Sequence, residues 1–191
     1  DEFQAFLECV ADKPISYYAF EMLYWTGIRE GELLALTPAD FNFEKKTLRI
    51  NKSYQRLEGK DVITDPKTPK SNRTIVMPDF LAVEMEDFIS SLYGIREDDR
   101  IFTISKSYLH HEMDRGAKLS GVKRIRIHGL RHSHISLLIN LGFSALAIGE
   151  RVGHEAVDIT YHYAHLFPTV QTDMAAQLET EREALVNVRK E

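Results

Sequence analysis

Hydrophobic periodicity changes twice along these 191 residues, and that double change limits the folds open to the chain. Up to Leu36 the apolar residues recur at helical spacing, first Phe3, Phe6, Leu7 and Val10, then Tyr17, Phe20, Met22 and Leu23. From Phe41 to Met77 the pattern is alternation. Thr47 to Asn51, the segment up to Arg56, Val62 to Thr64 and Arg73 to Met77 all read as strands, with a turn at Glu58-Gly59-Lys60. Helical spacing returns with Leu81, Met85, Phe88, Ile89 and Leu92, and holds for most of the remaining chain. A helical opening, a short alternating insert and a helical second half predict a mostly helical α+β domain. Its one small antiparallel sheet has about three strands and a long basic hairpin tip from Pro66 to Asn72.

Punctuation places the helices. Pro14 suits a first turn, and Gly27 separates that helix from a second over Arg29–Leu36, which Thr37-Pro38 stops. Arg29 therefore stands at a helix start, where the helix dipole does not favour a cation. Ser105 to Leu119 has helical length and ends at Ser120-Gly121. Leu130 to Leu141 is an apolar helix closed by Gly142. Ser144 is placed to cap a helix through Ile148, Val157 to Tyr161 is a short further turn, and a terminal helix after Pro168 carries Val170, Met174 and Leu178. No repeat, low-complexity tract or linker divides the chain.

Composition removes some functions. A net charge of −5 argues against an indiscriminate nucleic-acid binder, although it leaves room for a local basic patch. The single cysteine, Cys9, excludes an internal disulfide and a cysteine-rich zinc site, and a reducing compartment fits best. No stretch is apolar enough to cross a bilayer as a helix. The chain opens in a helix-like pattern without an initiator methionine, as expected of a piece of a longer protein.

The residues with chemistry concentrate between Arg126 and His165. They are His128-Gly-Leu-Arg131, Gly153-His154 and Thr160-Tyr-His-Tyr163, and Lys123, Arg124 and Arg126 lead into them. Cleaving a nucleic-acid strand without a metal needs a nucleophile for phosphorus, cations for the equatorial oxygens and an acid for the departing sugar oxygen. Arginine pairs two phosphate oxygens with one fork, and tyrosine can form a covalent phosphoester. Arg29, Lys67, His128, Arg131, His154 and Tyr163 are the side chains available for these tasks. Each also has an ordinary role: solvated charge for Arg29, edge protection for Lys67, helix cap or surface for His128, loop for His154, core for Tyr163. Eight histidines, with pairs such as His128/His132 and His162/His165, raise a metal-dependent hydrolase as a rival, but no HExxH or carboxylate-rich box accompanies them.

Order decides between these readings. "TGIREGELLAL", "PKTPKSNRTIVMP", "HGLRHSHISLLINLG" and "RVGHEAVDITYHYAHL" resemble the successive signature boxes of the tyrosine recombinase (phage integrase) catalytic domain, across about residues 1–166. The nearest flavour is that of integrases from phages and conjugative elements of Gram-positive bacteria. The resemblance implies a site-specific recombinase that integrates or excises a mobile element. Arg29 and Arg131 would clamp the scissile phosphate, and Lys67 would protonate the 5′-oxygen leaving group. His128 would assist proton transfer and bond a phosphate oxygen, while His154 fills a position that some relatives give to tryptophan. Tyr163 would attack phosphorus to leave a 3′-phosphotyrosyl bond. Tyr161 and Lys70 are the internal rivals of Tyr163 and Lys67, and Glu32 reads as structural, orienting Arg29.

Weaker expectations concern DNA contacts from Lys52, Lys70, Arg73, Lys123, Arg124 and Arg126. The resemblance also implies no metal or other cofactor, double-stranded attachment-site DNA as partner, and a homotetramer on DNA that is monomeric when free. Accessory DNA-bending or excision factors, a bacterial cytoplasmic location, and core-binding and arm-binding domains upstream of Asp1 belong to the same expectation. Residues 167–191 would form a tail helix that packs on its own domain or on a neighbouring protomer. The alternatives are a type IB topoisomerase-like enzyme and a relative that only binds.

Overall fold

The computed structural model describes residues 1–65, 71–154, 156–166, 175–180 and 182. Helices α1 (Glu2–Glu8), α2 (Pro14–Thr26) and α3 (Glu30–Ala35) precede five strands, β1 (Phe41–Asn42), β2 (Thr47–Ile50), β3 (Ser53–Leu57), β4 (Lys60–Thr64) and β5 (Arg73–Val76). Next come α4 (Asp79–Ser91), α5 (Lys106–Ser120), α6 (Ile127–Asn140), α7 (Ala145–Val152) and α8 (Ala156–Tyr163). The mostly helical α+β class is as expected.

The sheet differs from the expectation of one antiparallel unit. β5 pairs with β2, not with the returning strand β4, giving a three-stranded sheet in the order β1-β2-β5 and a separate β3-β4 hairpin. Asn51-Lys52 breaks the run between β2 and β3, which frees the edge of β2 for Arg73–Val76. The hairpin leans on α3 instead. There Gly31 allows the approach, because a Cβ at that position would lie 2.5 Å from Ser53 Oγ.

Helix ends follow local chemistry. Pro14 occupies the first turn of α2, and Gly27 closes it in the left-handed conformation at φ 65°. Ser144 accepts from Ala147 N, so the predicted serine cap is present, and Ser105 caps α5 in the same way by accepting from Tyr108 N. Two helices are longer than the sequence pattern suggests. α6 begins at Ile127, which puts His128 in its first turn, and α8 runs through to Tyr163.

Among the described residues, two apolar clusters hold these elements. The large one joins α1 to α5 and the sheet through residues such as Phe20, Leu33, Leu48, Met85 and Phe102. The small one comprises Ile135, Ile139, Ile148, Val152, Ile159 and Tyr163, and ties α6, α7 and α8 together. α6 bridges them, with Ile127 and Leu130 in the first cluster and Ile135 and Ile139 in the second. The residues with chemistry lie along that bridge. Val170 and Met174 of the expected tail helix are outside the described residues, and Leu178 is 70% exposed.

Candidate active site

Arg131 is the centre of the site. It projects from α6 into the protein and is 2% exposed. Its guanidinium donates to the carbonyls of Gly27, at 2.6 Å, and Val152, which belong to the left-handed glycine turns that end α2 and α7. Among the described residues its Nε has no partner, and no carboxylate pairs with it directly. Burial and then the Arg29 charge press its pKa down to about 9, an uncommon state for a guanidinium. A buried cation with a spare donor favours an anion in the adjacent space.

Arg29 comes from the loop that caps α3. Its backbone N–H donates to Glu32 Oε2 at 2.8 Å and its guanidinium to Glu32 Oε1 at 2.9 Å. A further donor reaches the Gly153 carbonyl at 3.4 Å. Glu32 is buried and also takes both terminal nitrogens of Arg73, at 3.1 and 3.0 Å. Burial is the largest single influence on the Glu32 carboxyl and raises its pKa. The bonds and charge of Arg73, with those of Arg29, outweigh it and hold the group below its usual value. Arg73 is in turn braced by the Arg151 carbonyl at 2.9 Å. The expectation of a DNA contact at Arg73 is corrected: it faces inward beside Ile75 on β5 and aligns Glu32, because alternation on a strand puts both on the buried side.

Arg29, His128 and His154 line one cleft of about 700 Å³, together with Lys52 and Lys106. Lys106, in the first turn of α5, was not singled out in the sequence. Lys52 is only partly open, since its ammonium is bonded to the buried Asp40 carboxylate and lies 3.3 Å from Thr37 Oγ1. Partial burial, then the neighbouring cations, lower the pKa of His154 to about 4 and that of His128 as well. Both rings are therefore neutral at pH 7 and able to donate one N–H each.

Tyr163 ends α8 with its ring in the small core, 8% exposed. Its hydroxyl is hydrogen-bonded to Nδ1 of His132, a residue absent from the sequence-predicted set. Burial raises the phenol's pKa, against a lowering by Arg131. Tyr161, its rival, is 83% exposed on the outer face of α8. Lys67 and Lys70 lie outside the described residues. Lys123, Arg124 and Arg126 are exposed ahead of α6, and Arg124 is paired with Asp114 at 2.7 Å.

The phage integrase family profile matches residues 1–169. The chain belongs to that family. The ICEBs1 integrase of Bacillus subtilis (strain 168) is 31% identical to it over 94% of the chain and 53% of its own length. The integrase of Staphylococcus phage L54a is 30% identical over 84% of the chain and 51% of its own length. This integrase-family chain thus spans about half the length of those curated relatives. Among solved structures, the Tn1549 transposon integrase in complex with circular intermediate DNA superposes with a TM-score of 0.76 at 23% identity, over 91% of this chain and 64% of that one. The catalytic domain of bacteriophage HP1 integrase gives 0.62 at 19%, over 91% of this chain and 90% of that one. The fold is therefore that of tyrosine recombinase catalytic domains.

Proposed function

We propose that this chain carries the catalytic site of a site-specific DNA recombinase, with residues 1–166 as the catalytic domain. The observation that carries the reading is Arg131, a buried guanidinium whose Nε is unpartnered among the described residues, beside Arg29 and within electrostatic reach of Tyr163. A phosphodiester is the anion that suits a fork with a tyrosine next to it. Arg131 and Arg29 would bind the non-bridging oxygens of the scissile phosphate and stabilise the charge that grows on them in the transition state. His128 and His154, neutral and in the same cleft, would add hydrogen bonds to those oxygens.

Tyr163 attacks phosphorus, its oxygen becoming the 3′-phosphotyrosyl link while the 5′-oxygen leaves as a hydroxyl protonated by Lys67. The 5′-hydroxyl of a partner strand then reverses the step at the new junction. The phosphoester bond is conserved throughout, so the exchange needs neither a nucleotide nor a metal. The substrate is duplex DNA at attachment sites of a mobile element, bound by a homotetramer that assembles from monomers in the bacterial cytoplasm, with accessory DNA-bending factors. Supporting this are the family membership and the DNA named in the Tn1549 integrase structure.

A nicked suicide duplex bearing the attachment site tests the proposal. The full-length protein should form a covalent adduct stable to detergent, in excess chelator, and Tyr163→Phe should form none. An adduct that survives in Tyr163→Phe means that the nucleophile is another residue.

A further inference from the structure

The Tyr163 hydroxyl has a hydrogen-bonding partner in the structure, and it is not His128, the histidine to which the family resemblance gives a part in proton transfer. Tyr163 Oη is hydrogen-bonded to Nδ1 of His132. His128 makes no such bond among the described residues and instead packs edge-on against His132, with ring centroids 4.8 Å apart. His132 lies one turn after His128 on the same face of α6, and the last residue of α8 meets it there. The His132 and Tyr163 rings are 5.9 Å apart, centre to centre, and Nδ1 is the ring nitrogen that meets the phenol oxygen.

Resting on the recombinase reading above, we infer that His132 is the general base that takes the phenolic proton from Tyr163 during strand cleavage. In the step, the neutral imidazole carries its own proton on Nε2 and accepts the phenolic proton at Nδ1. The Oη–P bond forms as the bond from phosphorus to the 5′-oxygen breaks, and that oxygen receives its proton from Lys67. In the second transesterification the attacking 5′-hydroxyl gives its proton back to the neutral Lys67 amine, and the imidazolium at His132 returns the other proton to the departing Tyr163 oxygen. His132 is then neutral again, so proton and charge balance over the pair of steps.

The surroundings keep the His132 ring neutral, which leaves Nδ1 able to accept a proton, while making it a weaker base than a free imidazole. His132 packs against His128 on its own helix and Tyr163 on α8, and it lies in the field of Arg131 and His162; burial first, then Arg131 and His162, lower its pKa. Among the described residues no carboxylate acts on it to make it a standing cation, and the His162 ring is turned to the Asp158 carbonyl at 2.9 Å. His132 itself is exposed, so solvent and small molecules reach the ring.

The test is single-turnover cleavage of the nicked suicide duplex by full-length wild type, Tyr163→Phe, His132→Asn and His132→Ala across pH 5 to 9. Asparagine places a hydrogen-bond acceptor near the former Nδ1 but cannot take a proton, whereas alanine leaves room for free imidazole. Expected are losses of about 10²-fold or more in both His132 variants, the range for a positioned general base. Added imidazole should restore part of the His132→Ala rate and none of the His132→Asn rate. The wild-type acid limb below the ordinary histidine range should be replaced in His132→Ala by a rate that climbs with pH toward the tyrosine range. A His132→Asn enzyme with wild-type rate and pH profile overturns the inference, as does imidazole rescue of a His128→Ala variant but not of His132→Ala. Either result leaves the recombinase reading intact if wild type forms an adduct that Tyr163→Phe lacks; absence of any wild-type adduct is the failure of that reading instead.

Discussion

Glu32→Gln separates what the carboxylate does for the fold from what its shape does. The side chain accepts four hydrogen bonds: from Arg73 at 3.1 and 3.0 Å, from the Arg29 guanidinium at 2.9 Å and from the Arg29 backbone at 2.8 Å. Glutamine keeps the volume but replaces one oxygen with an NH₂ that faces donors, and it removes the charge opposite the buried guanidinium of Arg73. Leaving one member of a buried pair uncompensated costs about 3–5 kcal/mol. With a urea dependence of roughly 2–3 kcal/mol/M for a domain of this size, the unfolding midpoint should fall by about 1–2.5 M. Coincident fluorescence and circular dichroism transitions are required for that conversion. Glu32→Leu combined with Arg73→Met should recover much of the loss, because the buried Arg73 charge goes with its partner and only the more exposed Arg29 is left unpaired. The acid side supplies a second check. The carboxyl is held below its usual value in the folded state, so its stabilisation is complete above the unfolded pKa of 4.5 and is lost as pH falls through the folded one. Glu32→Gln should lack that acid-dependent component. A midpoint within experimental scatter of wild type would show that the four bonds carry no net stability and that Arg29 is positioned by something else.

Other sites give further expected outcomes. Burial, then Arg151, press the pKa of His134 from 6.5 to about 3, so wild type should lose about 2 kcal/mol between pH 7 and pH 5 as the unfolded chain takes up the proton, and His134→Gln should flatten that slope in urea titrations. Gly116→Ala should cost about 1–3 kcal/mol by thermal or urea unfolding, since a Cβ there would lie 2.4 Å from Phe6 Cε2 and 2.8 Å from Val10 Cγ1. Arg131→Lys keeps the charge but loses the fork; cleavage of the suicide duplex should drop by about 10²-fold or more with little change in DNA affinity.

Much of the fold was legible because its signals are local. Gly27, Ser105, Gly121 and Ser144 mark helix ends through their own backbone and side-chain chemistry, and the structure has a helix end at each. Strand partners were less so. Alternation marks Arg73–Val76 as a strand, yet says nothing of whether β2 or β4 lies beside it, and that pairing is decided by packing far along the chain. The charge of Arg73 suggests a surface residue, whereas its place in step with Ile75 on the strand puts it inward. His132 was hidden differently. Its spacing of four from His128 placed the two on one face, but only the docking of α8 shows which ring meets the tyrosine.

The small apolar cluster has a consequence for the covalent intermediate. Tyr163 is at once a core side chain and the residue expected to be esterified to DNA, held by Ile135, Ile139, Ile148, Val152 and Ile159 apart from the main core. A cluster of that size sets its own opening free energy, below that of the whole domain. Amide hydrogens of α7 and α8 should therefore exchange sooner than those of α2 and α4. Once the phenol is joined to a DNA end, the same five aliphatic residues become the anchorage of that end, and any pull on the duplex is borne first by them.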